Sequence, residues 1–300
     1  MRFGIDLGGT KIEIIVLQPG QTRPLFRMRV PTPKGDYAAT VAAIAHLIEQ
    51  AAEHTALPQS VGIGIPGALS QKTGLIKNAN STWLIGQDLQ ADLALAIQHC
   101  YQGEIKLAND ANCFALSEAT DGAAAGAESV FGVIIGTGCG GGLVVKGQVL
   151  EGANRIAGEW GHNPLPWREN SDEALSCYCG LQGCNETFLS GSGFERHFKQ
   201  QTGRSLTAKQ IVDLAEQGDK AAKALLDRYC LWLAKGLASV INLFDPEVIV
   251  LGGGMGNIDV LYQKVPLLWR DWVFSDSVTT RLAKPKYGDS SGVRGAAWLS

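Results

Sequence analysis

The pattern of apolar and polar positions divides the chain into strand-like and helix-like runs in a regular order. FGIDL (3–7) and IEIIVL (12–17) are β-rich and nearly continuous in apolar residues, and the turn Gly8-Gly9-Thr10 joins them. LFRMRV (25–30) alternates apolar and charged positions, as a half-buried strand does, so the three runs predict an antiparallel meander. From Asp36 to Glu53 the apolar Ala39, Val41, Ile44, Leu47 and Ile48 follow a helical period, with Asp36 or Thr40 near the start. SVGIGIPG (60–67) predicts a buried strand ending in a turn, DLQADLALAIQHC (88–100) a helix, EIKLAND (104–110) a strand, and the Ala-rich stretch 111–125 a helix. Strands alternating with helices predict a largely parallel sheet.

A second series begins at Ser129. SVFGVIIGTGCGGGLVV (129–145) again sets two β-rich runs around a glycine-rich turn, repeating the layout of the N-terminus and hinting at duplication. Helices are expected over about 207–216 and 219–243, then the strand EVIVLGGG (247–254), a helix beyond Asn257, and a short last helix in GDSSGVRGAAWL (288–299) that Ser290 or Ser291 can cap. A chain of 300 residues favours two domains. No low-complexity linker separates the halves, so the boundary near residues 118–126 is expected to be a hinge.

Composition narrows the classes of function. With 45% apolar and 18% charged residues the chain has ample material for a buried core. A formal charge of −3, with Lys and Arg scattered, provides no basic stripe for nucleic acid. The N-terminus lacks a secretory pattern and no apolar run reaches the roughly 20 residues of a membrane span, so a cytoplasmic protein is expected. In a reducing compartment, clustered cysteines point to metal or chemistry rather than disulfides. Of the seven, Cys100, Cys113, Cys139 and Cys230 stand apart and read as buried small side chains.

Candidate chemistry gathers at the strand ends. DLGGTK (Asp6, Leu7, Gly8, Gly9, Thr10, Lys11) places a carboxylate, two glycines, a hydroxyl and a cation together, which suits phosphate, although glycine-rich turns also arise for steric reasons and the P-loop spacing is absent. GTGCGGG (136–142) and Gly252–Gly254 repeat the arrangement, and open α/β sheets bind ligands at such carboxyl ends. NDAN (109–112) lies between a strand and a helix, where Asp110 either caps the helix or takes a proton from a substrate hydroxyl beside Asn109. Cys177, Cys179 and Cys184 form C-x-C-x4-C, and with His162 upstream they supply the four ligands of a closed, structural zinc site, as against three unrelated loop cysteines. Closing that site brings Glu159 and Glu186 into one neighbourhood, a cage for a polyhydroxylated ligand. Trp83, Trp160 and Trp167 flank these segments as sugar walls or as core, and the amide-rich KNANSTWL (77–84) offers Asn80 as a sugar contact.

In this order, DLGGTK, NDAN, GTGCGGG, GEWGH, CYCGLQGCNE and VIVLGGG resemble the ROK family of sugar kinases and repressors, across nearly the whole chain. The resemblance implies an α/β actin-like ATPase (ribonuclease H-like) fold: two similar domains with a hinge cleft for ATP. Residues 1–118 would form the first domain, with 288–300 packing back on it, and 119–287 the second, carrying the zinc-binding insertion. It further implies Asp110 as the base for the sugar 6-hydroxyl, and Asn109, Glu159, His162 and Glu186 as sugar contacts, with His162 also on zinc. Asp6 would help place Mg²⁺, Gly8 to Thr10 and Thr137 to Gly138 the phosphates, and Gly253 to Gly254 the adenosine. Within the family the motifs look most like bacterial fructokinases with mannokinase activity. The expected acceptor is therefore fructose, with glucose, mannose or an N-acetylated amino sugar as alternatives, and the expected assembly is a homodimer. Family repressors carry a helix-turn-helix ahead of the body, which here starts at residue 3, so a DNA-binding sensor is the lesser expectation.

Overall fold

The structure is a computed structural model that describes residues 1–299. Two five-stranded mixed sheets organise it. The first contains β1 (Arg2–Leu7), β2 (Lys11–Leu17), β3 (Phe26–Pro31), β4 (Ser60–Ile65) and β7 (Glu104–Asn109) in the order β3-β2-β1-β4-β7; the short hairpin β5 (Ala68–Leu69) and β6 (Ile76–Lys77) stands apart. The second contains β8 (Ser129–Ile135), β9 (Cys139–Val145), β10 (Gln148–Val149), β11 (Val248–Gly252) and β12 (Arg281–Ala283) in the order β10-β9-β8-β11-β12. In each, three antiparallel strands run into two parallel ones, so the repeat hinted at by the sequence is a repeat of topology.

The helices are α1 (Tyr37–His54), α2 (Leu89–Ile97), α3 (Asp110–Thr120), α4 (Asn185–Leu189), α5 (Gly191–Thr202), α6 (Ala208–Glu216), α7 (Lys220–Phe244), α8 (Asp259–Leu268) and α9 (Ser291–Trp298). Asp36 starts α1 by accepting the Ala39 N–H (2.9 Å), and the helix buries Ile44, Leu47 and Ile48 against the first sheet. The central strands β1 and β4 bury nearly every residue, which is why their sequences run apolar without alternation, whereas β3 at the edge is half exposed. On the second sheet the longest helix, α7, begins at Asp219, whose carboxylate accepts two backbone N–H groups, and buries Trp232, Leu233, Leu237 and Ile241. Each such aliphatic side chain contributes about 1.5–3 kcal/mol by leaving water.

Two predicted helices differ in extent and a third in its cap. The helix expected to reach residue 125 stops at Thr120, because the N–H groups of Asp121 and Gly122 both return to the Ser117 carbonyl and Glu118 accepts the Ala123 N–H (2.8 Å). The helix expected through Cys100 stops at Ile97, whose carbonyl takes the N–H groups of Cys100 and Tyr101. Neither Ser290 nor Ser291 caps α9: the Ser291 hydroxyl donates to Glu118 (2.6 Å) and Ser290 accepts from Arg27 (3.1 Å).

Two helices cross between the sheets. α9 lies on β1 and β4 where Gly4 and Gly62 leave room; a Cβ at Gly62 would stand 1.9 Å from the Ala296 carbonyl oxygen. α3 follows β7 in the chain but packs Phe114, Ala115 and Ala119 with Val130, Val144 and Val250 of the second sheet. The division expected at 118/119 thus falls inside α3. The helices touch backbone to backbone, since a Cβ at Gly295 would lie 1.6 Å from the Cys113 oxygen. Among the described residues no helix is long and apolar enough to cross a membrane.

Candidate active site

The carboxyl ends of β1, β4 and β7 from one sheet and of β8 and β11 from the other open on a common cleft, the position in which α/β sheets place ligands. Asp6 lies at the end of β1, and Gly8 and Gly9 turn the chain into β2, with the Gly8 N–H returning to the Lys11 carbonyl (3.0 Å). Asp6, Gly8, Gly9, Lys11, Thr137, Gly138 and Gly253 line one cavity of about 1070 Å³. Thr10 does not line it; its carbonyl holds the Thr32 N–H (3.1 Å). Gly253 has φ +78°, and a Cβ there would sit 2.4 Å from the Ile135 oxygen, so only glycine lets the turn after β11 lie against the turn after β8.

A second cavity of about 820 Å³ continues from Thr137 and Gly254 between the start of α5, α6 and α8. Ala208, Val212, Met255 and Ile258 give it apolar walls, while Ser192, at its mouth, donates to the Thr137 carbonyl (2.7 Å). A third cavity, of about 700 Å³, lies on the other side of Gly138 and is lined by Asn80, Asn109, Asp110, Glu159, His162 and Glu186. Asp110, Asn80, Thr137, Gly138 and Glu186 face both the first and the third, so they stand where the two meet.

At that junction Asn109, not Asp110, caps α3. Its Oδ1 accepts the Ala111 N–H (2.9 Å) and its Nδ2 donates to the Gly67 carbonyl (2.9 Å), so this amide is committed to the protein as well as facing the cavity. Asp110 Oδ1 also accepts from Ala111 (2.8 Å), leaving its other oxygen toward the open cleft. Although that face is accessible, Asp110 lies at the cleft floor with protein around it. Burial first, then the charge of Glu159, raises its carboxyl from the ordinary 3.8 to about 6, against lowering hydrogen bonds from backbone and Asn109. Burial and the neighbouring Asp110 and Glu13 lift Asp6 to about 7, opposed by Lys11 and Arg29. Asp6 and Asp110 line the same cavity, and two carboxylates with cleft water are hard oxygen donors of the kind that Mg²⁺ takes.

The cysteine loop meets His162 as the spacing predicts. His162 Nδ1 lies 3.6 Å from Cys177 Sγ, and Cys179 Sγ lies 3.6 Å from Cys184 Sγ, all four donor atoms being within 4.8 Å of one another. Tetrahedral zinc with bonds of about 2.3 Å to sulfur and about 2.0 Å to nitrogen has edges of about 3.8 and 3.5 Å, so the donor set fits the ion. The loop is also fastened away from the metal: buried Asp172 accepts from Arg228 Nε (2.6 Å) and Trp232 Nε1 (2.7 Å), and buried Lys235 of α7 donates to the Trp167 carbonyl (2.9 Å) and Glu169 (3.1 Å).

Several contacts here are invisible to sequence reasoning. Tyr178, between two of the cysteines, directs its hydroxyl to His162 Nε2 (3.0 Å) and packs its ring edge-on against the imidazole. Glu186, in the first turn of α4, accepts the Cys139 N–H (2.9 Å). None of Trp83, Trp160 and Trp167 lines these cavities: Trp160 is buried with its indole N–H on the Gly140 carbonyl, Trp83 donates to Thr40, and Trp167 packs at a tilt against Trp272.

The chain has counterparts among known proteins. The chain matches the ROK family over residues 2–300 and belongs to it. It is 40% identical over 304 residues to the N-acetyl-D-glucosamine kinase of Yersinia enterocolitica, covering 100% of this chain and 99% of that protein. The ROK hexokinase of Thermus thermophilus superposes with TM-score 0.87 at 32% identity (100% of this chain, 97% of the other). A ROK family glucokinase from Streptomyces griseus, solved with glucose and AMPPNP, superposes with TM-score 0.79 at 27% identity (100% and 98%). The fold is the actin-like ATPase fold in its two-domain form. These relatives are not the fructokinases that the motifs resemble; the amino-sugar alternative accords better with them.

Proposed function

We propose that the protein is a MgATP-dependent sugar kinase that phosphorylates the 6-hydroxyl of N-acetyl-D-glucosamine. The observation that carries the reading is the position of Asp110, facing both the cavity of glycine turns and the cavity of Asn80, Glu159, His162 and Glu186. The full-length 40% identity to an N-acetyl-D-glucosamine kinase supports the choice of acceptor over fructose.

In this reading Asp110 accepts the hydroxyl proton as the sugar oxygen bonds to the γ-phosphorus, the bond from that phosphorus to the β,γ-bridging oxygen breaks, and ADP departs with its electrons. A carboxyl raised to about 6 is ionised at neutral pH yet basic enough to hold the proton in passing. Glu159, Glu186 and Asn80 bind sugar hydroxyls and fix the 6-oxygen in line. Backbone N–H groups of the turns after β1 and β8 take the phosphates, with Lys11 supplying positive charge, and the apolar cavity beside Met255 and Val212 takes the adenosine, Gly253 and Gly254 forming its edge. Mg²⁺, when bound beside Asp6, supplies positive charge to the phosphates. His162, Cys177, Cys179 and Cys184 hold a structural zinc, which secures the loop carrying Glu186.

An ADP-release assay with MgATP across N-acetylglucosamine, glucose, mannose and fructose tests the proposal. The highest kcat/KM is expected for N-acetylglucosamine, with slow ATP hydrolysis in the absence of sugar. Preference for fructose would overturn the acceptor assignment, and silence on all four in zinc-replete protein would overturn the kinase.

A further inference from the structure

Glu186 spans the two halves of the chemistry. It follows the metal donor Cys184 by two residues, in the first turn of α4, and so belongs to the wall of the acceptor cavity. Its carboxylate nevertheless reaches the turn between β8 and β9, where Oε2 accepts the Cys139 N–H at 2.9 Å and lies against Gly138. A Cβ on Gly138 would come within 2.9 Å of that oxygen. Among the described residues the turn is the only segment that lines all three cavities, through Thr137. The turn also lines the junction of the first and third cavities, where Asp110 lies.

The contact therefore puts a negative group on the N–H that a phosphoryl oxygen approaching the junction would need. Donor and charge both work against it. An N–H held by a carboxylate is not free for a phosphate, and two anions a few ångströms apart repel, less where water screens them. Sugar hydroxyls are hydrogen-bond donors. Once in the third cavity they compete with Cys139 for the Glu186 oxygens and spread the carboxylate charge, which frees the turn.

The geometry points to Glu186 as a positioning residue that makes the affinity of the β8–β9 turn for the terminal phosphate depend on the acceptor. This rests on the kinase reading and deepens it: without sugar, Glu186 keeps the γ-phosphate from settling beside Asp110, which also restrains transfer to water. The β-phosphate, farther from the junction, is affected little.

The test needs no sugar. Binding of Mg·AMPPNP and of Mg·ADP is measured by calorimetry for the wild type and Glu186→Gln, which keeps the side-chain size and removes its charge. The substitution is expected to tighten AMPPNP by on the order of tenfold, equivalent to about 1.4 kcal/mol, while ADP changes less than about twofold. Sugar-independent ATP hydrolysis should rise in the same variant. Equal shifts for both nucleotides, or none, would overturn the coupling. Zinc content and melting temperature report whether the variant is folded, and Glu186→Ala, which vacates the N–H altogether, gives the same comparison if the glutamine variant is not. Failure of the wild type to bind either nucleotide would overturn the kinase reading and the coupling with it, whereas binding with equal shifts would remove the coupling alone.

Discussion

At the scale of single residues, the site is defined by carboxylates that the fold holds under unfavourable conditions. Asp110 combines burial with the charge of Glu159, and its carboxyl rises from 3.8 to about 6. As the base, it must be ionised, so kcat/KM should fall tenfold per pH unit below about 6, and Asp110→Asn should reduce kcat by at least about 10²-fold while sugar binding measured by calorimetry persists. Substantial turnover by the asparagine variant would remove the role. The same shift affects stability with a definite sign. A carboxyl raised by folding binds its proton more tightly in the native state, so between about 4 and 6 its contribution declines as pH increases. Asp110→Asn should flatten that part of the melting-temperature profile. The position of Asp110 was legible in the sequence because a carboxylate between a strand and a helix is a local pattern. The Asn109 amide on the Gly67 carbonyl, the Tyr178 hydroxyl on His162 and the Cys139 N–H on Glu186 were not, since each depends on where distant backbone is carried.

At the scale of elements, the cysteine loop shows which patterns announce themselves. C-x-C-x4-C fixes three donors within eight residues, and the fold brings His162 to them from fifteen positions before the first. The helix that follows was missed: α5 begins Gly-Ser-Gly, which favours turns, and it is held by the burial of Phe194, His197 and Phe198 rather than by propensity. Fastening at both ends leads to a graded expectation for metal removal. Purified protein should contain about one zinc per chain. Cys179→Ala or chelation should release it, loosen the loop bearing His162 and Glu186, and raise the sugar KM at least about tenfold. The Asp172 and Lys235 contacts should keep the core around α7 folded, seen as an unchanged far-ultraviolet dichroism signal. Full sugar affinity in zinc-free protein would show that the ion does not secure the pocket.

At the scale of the whole molecule, the two sheets share a strand order, and the duplicated turn motifs in the sequence foreshadowed it. What the pattern could not convey is the exchange of helices between the halves, because α3 and α9 are amphipathic to one another and to sheets far away in the chain. The chain crosses between the halves twice, after α3 and again before α9, and both crossings meet at Glu118. This carboxylate is fully buried; it accepts the Ser291 hydroxyl (2.6 Å) and the N–H groups of Ala123 (2.8 Å) and Lys286 (3.1 Å). Arg294 adds an ion pair to Asp121 and stacks on Tyr287. Crossing segments gathered around Glu118 can let the sheets rotate without letting them separate, which is what closing the cleft on sugar and nucleotide requires. Glu118→Ala leaves two backbone N–H groups without their acceptor, so it should cost about 1–3 kcal/mol of stability and lower the melting temperature accordingly. It should also change closure: small-angle scattering of the wild type is expected to show a smaller radius of gyration with sugar and AMPPNP than without, and the variant a smaller difference. A variant that melts earlier but closes to the full wild-type extent would make Glu118 a support for the crossing segments and not the pivot of the cleft.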